Sequence, residues 1–313
     1  MFNATRLVFY YAVSPIHMGA GSAIGAIDSP IQREVHTQHP MFAGSGIKGA
    51  LRHHFNHAWV GSREVQELVP RIFGPDKNAS DFAGALSIGD AQLVALPVRS
   101  LKNGFAYVTS PLALARLQRL ARQTGIAADW SIPTTEVADQ AMAASDALLH
   151  DQPKGQQLIL EAFEFNASVN HELKLIANWL AQHALPNASQ TFFANKLKTD
   201  LILLNDTDFA HFAKRAMVVE PHVRINDESG TTDDGGLFYV ENLPPETLMV
   251  GLAQASVERF KKDARPLAPL SAEAVLTTVF DSQASTCPGI AGRLLQIGGD
   301  ASTGRGLVLV QPV

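Results

Sequence analysis

Asp28 stands in a segment whose residue types can act on a phosphate-bearing substrate. From His17 to Glu34 the chain carries glycines at 19, 21 and 25, then Asp28-Ser29-Pro30 and Arg33. A dinucleotide-binding turn would open a helix here, but Asp28-Ser29-Pro30 breaks the chain at once. A glycine-rich loop holding one His, one Asp and one Arg can instead border an RNA backbone. Asp28 could take a proton from a ribose 2′-OH, or hold a divalent cation beside a phosphate. The plainer alternative is that Asp28 caps the turn at Pro30 and His17 packs beneath the loop.

The stretch Gly44-Ser45-Gly46-Ile47-Lys48-Gly49-Ala50-Leu51-Arg52 offers a second chemistry. Ile47, Leu51 and Phe55 recur at helical spacing, so a helix begins near Gly46. Its first N–H groups and partial positive charge suit a phosphate. Lys48 and Arg52 lie one turn apart and are expected on its exposed side, beside Ser45 and Gly46. The Walker A pattern fails because Lys48 is followed by Gly49 and Ala50. The stretch also lacks the spacing of a nucleophile elbow. An ordinary glycine loop with solvated bases is the alternative.

Near the C-terminus, Gly298-Gly299-Asp300-Ala301-Ser302-Thr303-Gly304-Arg305-Gly306 combines glycines with small hydroxyls. Such a backbone concavity suits anions, although a flexible hairpin loop has the same composition. Residues 223–240 read as a β-hairpin with a polar tip and apolar stems. On it Phe238 and Tyr239 point to opposite faces, one available to a partner and one packing inward. His53 and His57 share a helix face at a spacing that can bind metal, but no third ligand is evident.

These segments need elements to hold them. The pattern predicts strands over 6–14, 84–98, 157–168, 200–204, 248–255, 294–297 and 306–313. It predicts helices over 47–59, 63–73, 111–123, 172–183, 208–216 and 271–281. Irregular alternation with long insertions implies one elaborated α+β domain, 1–313, around a small antiparallel sheet.

Composition narrows the class. The chain has 313 residues, 46% of them hydrophobic and 18% charged, which builds a globular core. No apolar run approaches the ~18–20 residues of a membrane span, so no membrane partner is expected. Cys287 is the only cysteine, which excludes an intrachain disulfide and fits a reducing cytoplasm. With 30 acids against 25 bases the net charge is −5, a poor total for a free-standing nucleic-acid binder. Residues 1–60 are the exception: four bases, two acids and six of the eleven histidines.

In their order along the chain these motifs resemble the RAMP superfamily of CRISPR proteins. A first strand runs into His-x-Gly-x-Gly, then Asp28-Ser29-Pro30-Ile31-Gln32-Arg33-Glu34, then Gly44 to Arg52, and ends with Gly298 to Gly306. Asp28–Glu34, with Leu237-Phe238-Tyr239-Val240-Glu241-Asn242-Leu243-Pro244-Pro245-Glu246-Thr247, is most similar to the repeated backbone subunits of type III-B (Cmr) effectors. Residues 124–195 carry no matching motif. The resemblance implies a modified ferredoxin-like (RRM-type) palm, a projecting thumb hairpin over 222–245 and inserted helical fingers. It implies stacking in several copies along CRISPR RNA, beside other Cmr subunits. It also implies cleavage of paired target RNA by a metal-dependent endoribonuclease, with Mg or Mn as cofactor. Asp28 corresponds to the catalytic acid and possible metal ligand. Ser45, Gly46, Lys48 and Arg52 correspond to RNA backbone contacts; Gly299, Thr303 and Arg305 would line the same path, with His17 and Arg33 beside Asp28. No aromatic RNP signature is present, so stacking on the sheet face is not expected. Alternatives are the type III-A (Csm) equivalent, a RAMP subunit that does not cut, and a small-molecule phosphate-binding enzyme.

Overall fold

The computed structural model describes residues 2–77, 82–135, 137–153, 155–260 and 268–313. The chain opens with β1 (Ala4–Ala12), β2 (Met41–Phe42), α1 (Gly44–Ala58), α2 (Arg63–Gln66) and α3 (Leu68–Phe73). It continues through β3 (Leu86–Ile88), β4 (Ala91–Arg99), β5 (Phe105–Thr109), α4 (Pro111–Gln123), β6 (Gln140–Ala143) and β7 (His150–Gln152). Next come β8 (Gly155–Leu160), β9 (Phe163–Val169), α5 (His171–Ala184), α6 (Thr191–Thr199), β10 (Leu201–Leu204) and α7 (Asp206–Arg215). Then follow β11 (Val218–Ile225), β12 (Thr232–Asn242), β13 (Leu248–Ala255), α8 (Ala272–Phe280), β14 (Arg293–Gln296) and β15 (Leu307–Pro312).

The α+β class holds, but the sheet is neither small nor wholly antiparallel. It has 13 strands in the order β14-β15-β1-β13-β4-β5-β10-β6-β9-β8-β7, with β2 on β4 and β3 on β13. The pairs β5–β10 and β6–β9 are parallel. The reason is visible in β1. Val8 and Tyr10 enter one core with Ile47, Leu51 and Phe55 of α1 and Val275 and Leu276 of α8. Leu7, Phe9 and Tyr11 enter a second core with Leu117 of α4, Leu180 of α5 and Leu197 of α6. Helices therefore cover both faces, as the unbroken apolar run Leu201–Leu204 of the fully buried β10 requires.

Three elements differ from their sequence patterns for local reasons. The helix over 63–73 splits into α2 and α3, because Pro70 has no N–H to give the carbonyl of residue 66. The strand over 157–168 is a hairpin, β8–β9, which turns at Glu161 with φ of 52°. The strand over 84–98 breaks at Gly89-Asp90, where the Asp90 carboxylate accepts the Gly44 N–H at 2.7 Å. Residues 41–42, 105–109, 140–143 and 150–152 are strands, and 191–199 a helix, that the pattern did not mark.

The hairpin β11–β12 forms its own two-stranded sheet, pairing Val218 with Asn242 and Pro221 with Tyr239. It spans 218–242 rather than 222–245 and carries a bulge between Val223 and Ile225. Phe238 and Tyr239 are both exposed, so neither packs inward as expected. Phe238 instead stacks on His222 across the ladder, with ring centroids 5.3 Å apart.

Candidate nucleic-acid interface

The loop bearing Asp28 is held against the hairpin by main-chain bonds. Asp28 N–H and Ser29 N–H both donate to the Tyr239 carbonyl at 3.1 Å, and Glu241 N–H donates to the Ser29 carbonyl at 3.0 Å. Ser29 thus forms a parallel bridge with Val240. The Asp28 carboxylate joins the same clamp, its Oδ2 accepting the Tyr239 N–H at 2.7 Å. Its Oδ1 has no hydrogen-bond partner among the described residues, and the side chain is exposed. Pro30 fits here because the loop presents a short edge and needs no donor at that position.

Beneath the clamp lies Glu241, buried on β12. Its Oε1 accepts from Arg33 Nη2 at 2.5 Å and its Oε2 from the Ile31 N–H at 3.0 Å. Its carbonyl meets His17 Nδ1 at 2.7 Å. The Arg33 and Glu241 side chains are only 14% and 5% exposed, so this ion pair is largely desolvated. Arg33 Nη1 donates further to the carbonyls of Gln38 (2.8 Å) and Ala213 (2.9 Å). Sequence reasoning named Arg33 but missed Glu241. The signal was an acid between Val240 and Leu243, in a stretch that the fold buries.

The glycine loop of 298–306 closes over His17. Gly299 N–H donates to the His17 carbonyl at 2.8 Å. Gly298, at φ of 74°, passes so near that a Cβ would stand 2.3 Å from that carbonyl. Thr303 is exposed, its hydroxyl donating to the Asp300 carbonyl at 2.8 Å. Arg305 grips Glu220 of β11 with two bonds of 2.5 and 2.6 Å. Glu220 also escaped the sequence reading.

Helix α1 reaches the same place by its N-terminus. A Cβ on Gly46 would meet the end of Met18 at 2.7 Å, next to His17. Ser45 and Gly46 are exposed, and their N–H groups have no acceptor among the described residues. The two bases behave otherwise than expected: both are half-buried, not solvated. Lys48 Nζ donates to the Leu86 carbonyl at 2.8 Å, because β3 packs beside the helix. Burial, and then the nearby Arg52 and Arg259, push the Lys48 ammonium pKa down. Arg52 donates to the Gly74 carbonyl at 2.9 Å and forms an ion pair with Asp76. Lys48 and Ser45 still line a cavity of about 270 Å³ with Arg259 and Phe2.

The structure therefore gathers His17, Asp28, Arg33, Gly46, Gly299 and Arg305 around the hairpin base. Lys48 and Arg52 sit further along α1. Among the described residues no group of three His, Cys, Asp or Glu side chains could cage a metal. The His53 and His57 rings lie 4.5 Å apart, tilted at 53°, without a third ligand among the described residues. One exposed carboxylate with an oxygen to spare matches a different mode. Mg²⁺ is commonly held by one or two carboxylates plus substrate phosphates.

Residues 9–309 match the RAMP superfamily. The Cmr endoribonuclease Cmr4 of the Pyrococcus furiosus CRISPR system is 32% identical over 305 residues, 97% of this chain and 94% of its own. A crystal structure of oligomeric Cmr4 from that organism superposes with a TM-score of 0.69 at 27% identity, over 98% of this chain and 97% of the other. The endoribonuclease Csm3 of Enterococcus italicus is 33% identical, but over only 101 residues, 29% of this chain and 47% of its own. The likeness to Csm3 is thus local, whereas the likeness to Cmr4 runs nearly end to end in both sequence and fold: this chain belongs to the RAMP superfamily and, within it, to the Cmr4 family.

Proposed function

We infer that the chain is a CRISPR RNA-binding backbone subunit of a type III-B effector. Several copies stack along one guide RNA, beside other Cmr subunits, and each cuts the paired target RNA. Its membership of the Cmr4 family supports this, as do the P. furiosus relative's name as an endoribonuclease and that relative's oligomeric crystal form. In this reading the large sheet is the ferredoxin-like palm, β11–β12 the thumb and the helical region after α4 the fingers. The protein holds backbone and shape, while base pairing selects the target.

The observation that carries the cleavage reading is the fixed, exposed carboxylate of Asp28 at the hairpin base. RNA cleavage by its own 2′-OH forms a bond from the 2′-oxygen to phosphorus and releases the 5′-oxygen. Asp28 accepts the 2′-OH proton or orients that hydroxyl. A divalent cation, Mg or Mn, bound by the same carboxylate would neutralise charge developing on the phosphate. The N–H groups of Ser45 and Gly46, with Lys48 and Arg52, contact guide phosphates. Gly299 and Thr303 line the path. His17, Arg33 and Arg305 border the path from the hairpin base, where each also braces its own chain. Lys48 and Arg52 reach the phosphates by giving up the contacts they make to Leu86, Gly74 and Asp76.

Asp28→Asn in the assembled complex tests this. The variant keeps an oxygen for the Tyr239 N–H and loses the charge. Guide and target binding should stay within about twofold, while cleavage falls at least ~10²-fold, the scale of a lost general base. A chelator and a 2′-deoxy sugar at the cut should each stop the parent protein. Cutting by Asp28→Asn at the parent rate would locate the nuclease in another subunit.

A further inference from the structure

The turn from Glu34 to His39 is fastened to its surroundings through two histidines. It follows Arg33 directly, and Gln38 stands in the left-handed region at φ of 61°. The chain doubles back here. Gln38 N–H donates to the Glu34 carbonyl and Glu34 N–H to the His39 carbonyl, both at 2.9 Å. From the turn Glu34 reaches to α4, where Arg116 Nη1 donates to its two oxygens at 3.1 and 2.8 Å. These side chains are 10% and 12% exposed, so a largely desolvated ion pair pins the turn.

The geometry also sets the charge of both imidazoles. Arg116 Nη2 lies 2.9 Å from His36 Nε2. A guanidinium only donates, so Nε2 accepts and His36 is neutral, with its proton on Nδ1. A protonated His36 has no lone pair for Arg116 and competes with it for Glu34, 3.8 Å away. His39 is buried and meets Phe209 of α7 edge-to-face, with ring centroids 5.1 Å apart. Its Nδ1 is buried without a hydrogen-bond partner among the described residues. An imidazolium there would bury a donor with nothing to receive it. Burial is the first influence on His39 and lowers its pKa. Glu34 of the turn and Asp206 of α7 pull the other way, Arg116 of α4 and His36 reinforce burial, and the net shift is downward.

The turn is coupled to the clamp under Asp28. Arg33 Nη1 donates to the carbonyls of Gln38 in the turn and Ala213 on α7, while Nη2 holds Glu241. Lifting the turn removes the Gln38 carbonyl from the residue that braces Glu241.

We propose that His36 and His39 are positioning residues: neutral, they latch the 34–39 turn to α4 and α7 so that Arg33 holds Glu241 beneath Asp28; protonated, they release it and slow the cut. Only the last step rests on the RNA-cleaving reading; the latch belongs to the chain alone. The open turn takes up a proton more readily than the closed one, so closure is lost as pH falls. The closed-to-open ratio should drop by up to about tenfold per pH unit below ~6.5, the pKa of a free imidazole.

Hydrogen exchange of the full chain, read as protection factors at pH 7.5 and 5.5, tests the latch. Protection of the Glu34 and Gln38 amides should fall several-fold in the parent, up to about tenfold. It should stay level in His39→Phe, which fills the same space against Phe209 and cannot ionise. His36→Gln, on an exposed side chain, gives Arg116 an uncharged acceptor and should remove part of the fall. In the complex assembled on guide RNA, parent cleavage should decline over the same pH range by several-fold more than that of His39→Phe. Target affinity should remain within about twofold, since no phosphate contact is lost. Equal protection at the two pH values in the parent would overturn the latch, as would an equal fall in His39→Phe. Loss of protection with parallel cleavage profiles for the two proteins would overturn the coupling to Asp28. Absence of cutting by the parent at either pH would remove the RNA-cleaving reading and the last step with it, while exchange still decides the latch.

Discussion

Glu241 decides whether Asp28 has a place to stand. Its two oxygens hold Arg33 and the Ile31 N–H, and its carbonyl holds His17. Removing one partner of a desolvated ion pair leaves the other charge buried alone. Glu241→Ala should therefore cost about 3–5 kcal/mol in denaturant unfolding. Cleavage should be lost even where the protein remains folded. Glu241→Gln keeps an acceptor for one donor and should cost less. Equal stability of Glu241→Ala and the parent would show that Arg33 finds another acid. Asp28 itself was legible in the sequence, because the glycines and Pro30 around it are local signals. Glu241 was not, because its partners are more than 200 positions away and only the folded chain brings them together.

At the scale of elements, α1 separates two uses of glycine. A Cβ on Gly44 would stand 2.2 Å from the Ile88 carbonyl, so the helix start can press against β3 only without a side chain. Gly49, in the same helix, faces open space. Gly44→Ala should cost about 1–3 kcal/mol through overpacking. Gly49→Ala should gain about 1 kcal/mol from helix propensity. Thermal melts of the two variants check the pair, and a loss of stability in Gly49→Ala would contradict the open face. Most helices were legible from their apolar spacing, and α4 announced itself further through the Ser110 cap and Pro111. The short strands β6 and β7 gave too few residues for a period to show. The break at Glu161 was hidden because Leu160-Glu161-Ala162-Phe163 holds no Gly, Pro, Asn or Asp to mark a turn. The half-burial of Lys48 and Arg52 was hidden too, since helical spacing marks the apolar face but not what a later loop lays over the polar one.

For the whole molecule, pH should act through opposed acids. Glu34 is pushed up by burial but more than recovered by the Thr37 hydroxyl and by Arg116, so its pKa lies below the ordinary value. Glu258 is likewise raised by burial and brought lower by Arg71 and the Leu270 N–H. Both contribute stability above the unfolded carboxylate pKa, near ~4.3, that is lost as pH falls through the folded values. Glu246 is the reverse. Burial raises it, with partial relief from Tyr11. Its cost begins above the unfolded pKa and grows as pH rises through the folded one. Melting temperatures from pH 3 to 8 should show Glu34→Gln destabilising most at neutral pH and least near pH 3. Glu246→Gln should stabilise at pH 8 and be neutral near pH 4. The opposite order for either variant would refute the assignment.

The clamp on Asp28 uses only the main chain of Tyr239, its N–H and its carbonyl. The ring of Tyr239 takes no part in those bonds, and the residue is 38% exposed. Position 239 is therefore open to drift: almost any side chain leaves the carboxylate where it is. Proline is the exception, since it has no N–H to offer. A lineage could thus reshape the outer surface of this hairpin to suit a changed neighbour without retuning the acid beside it.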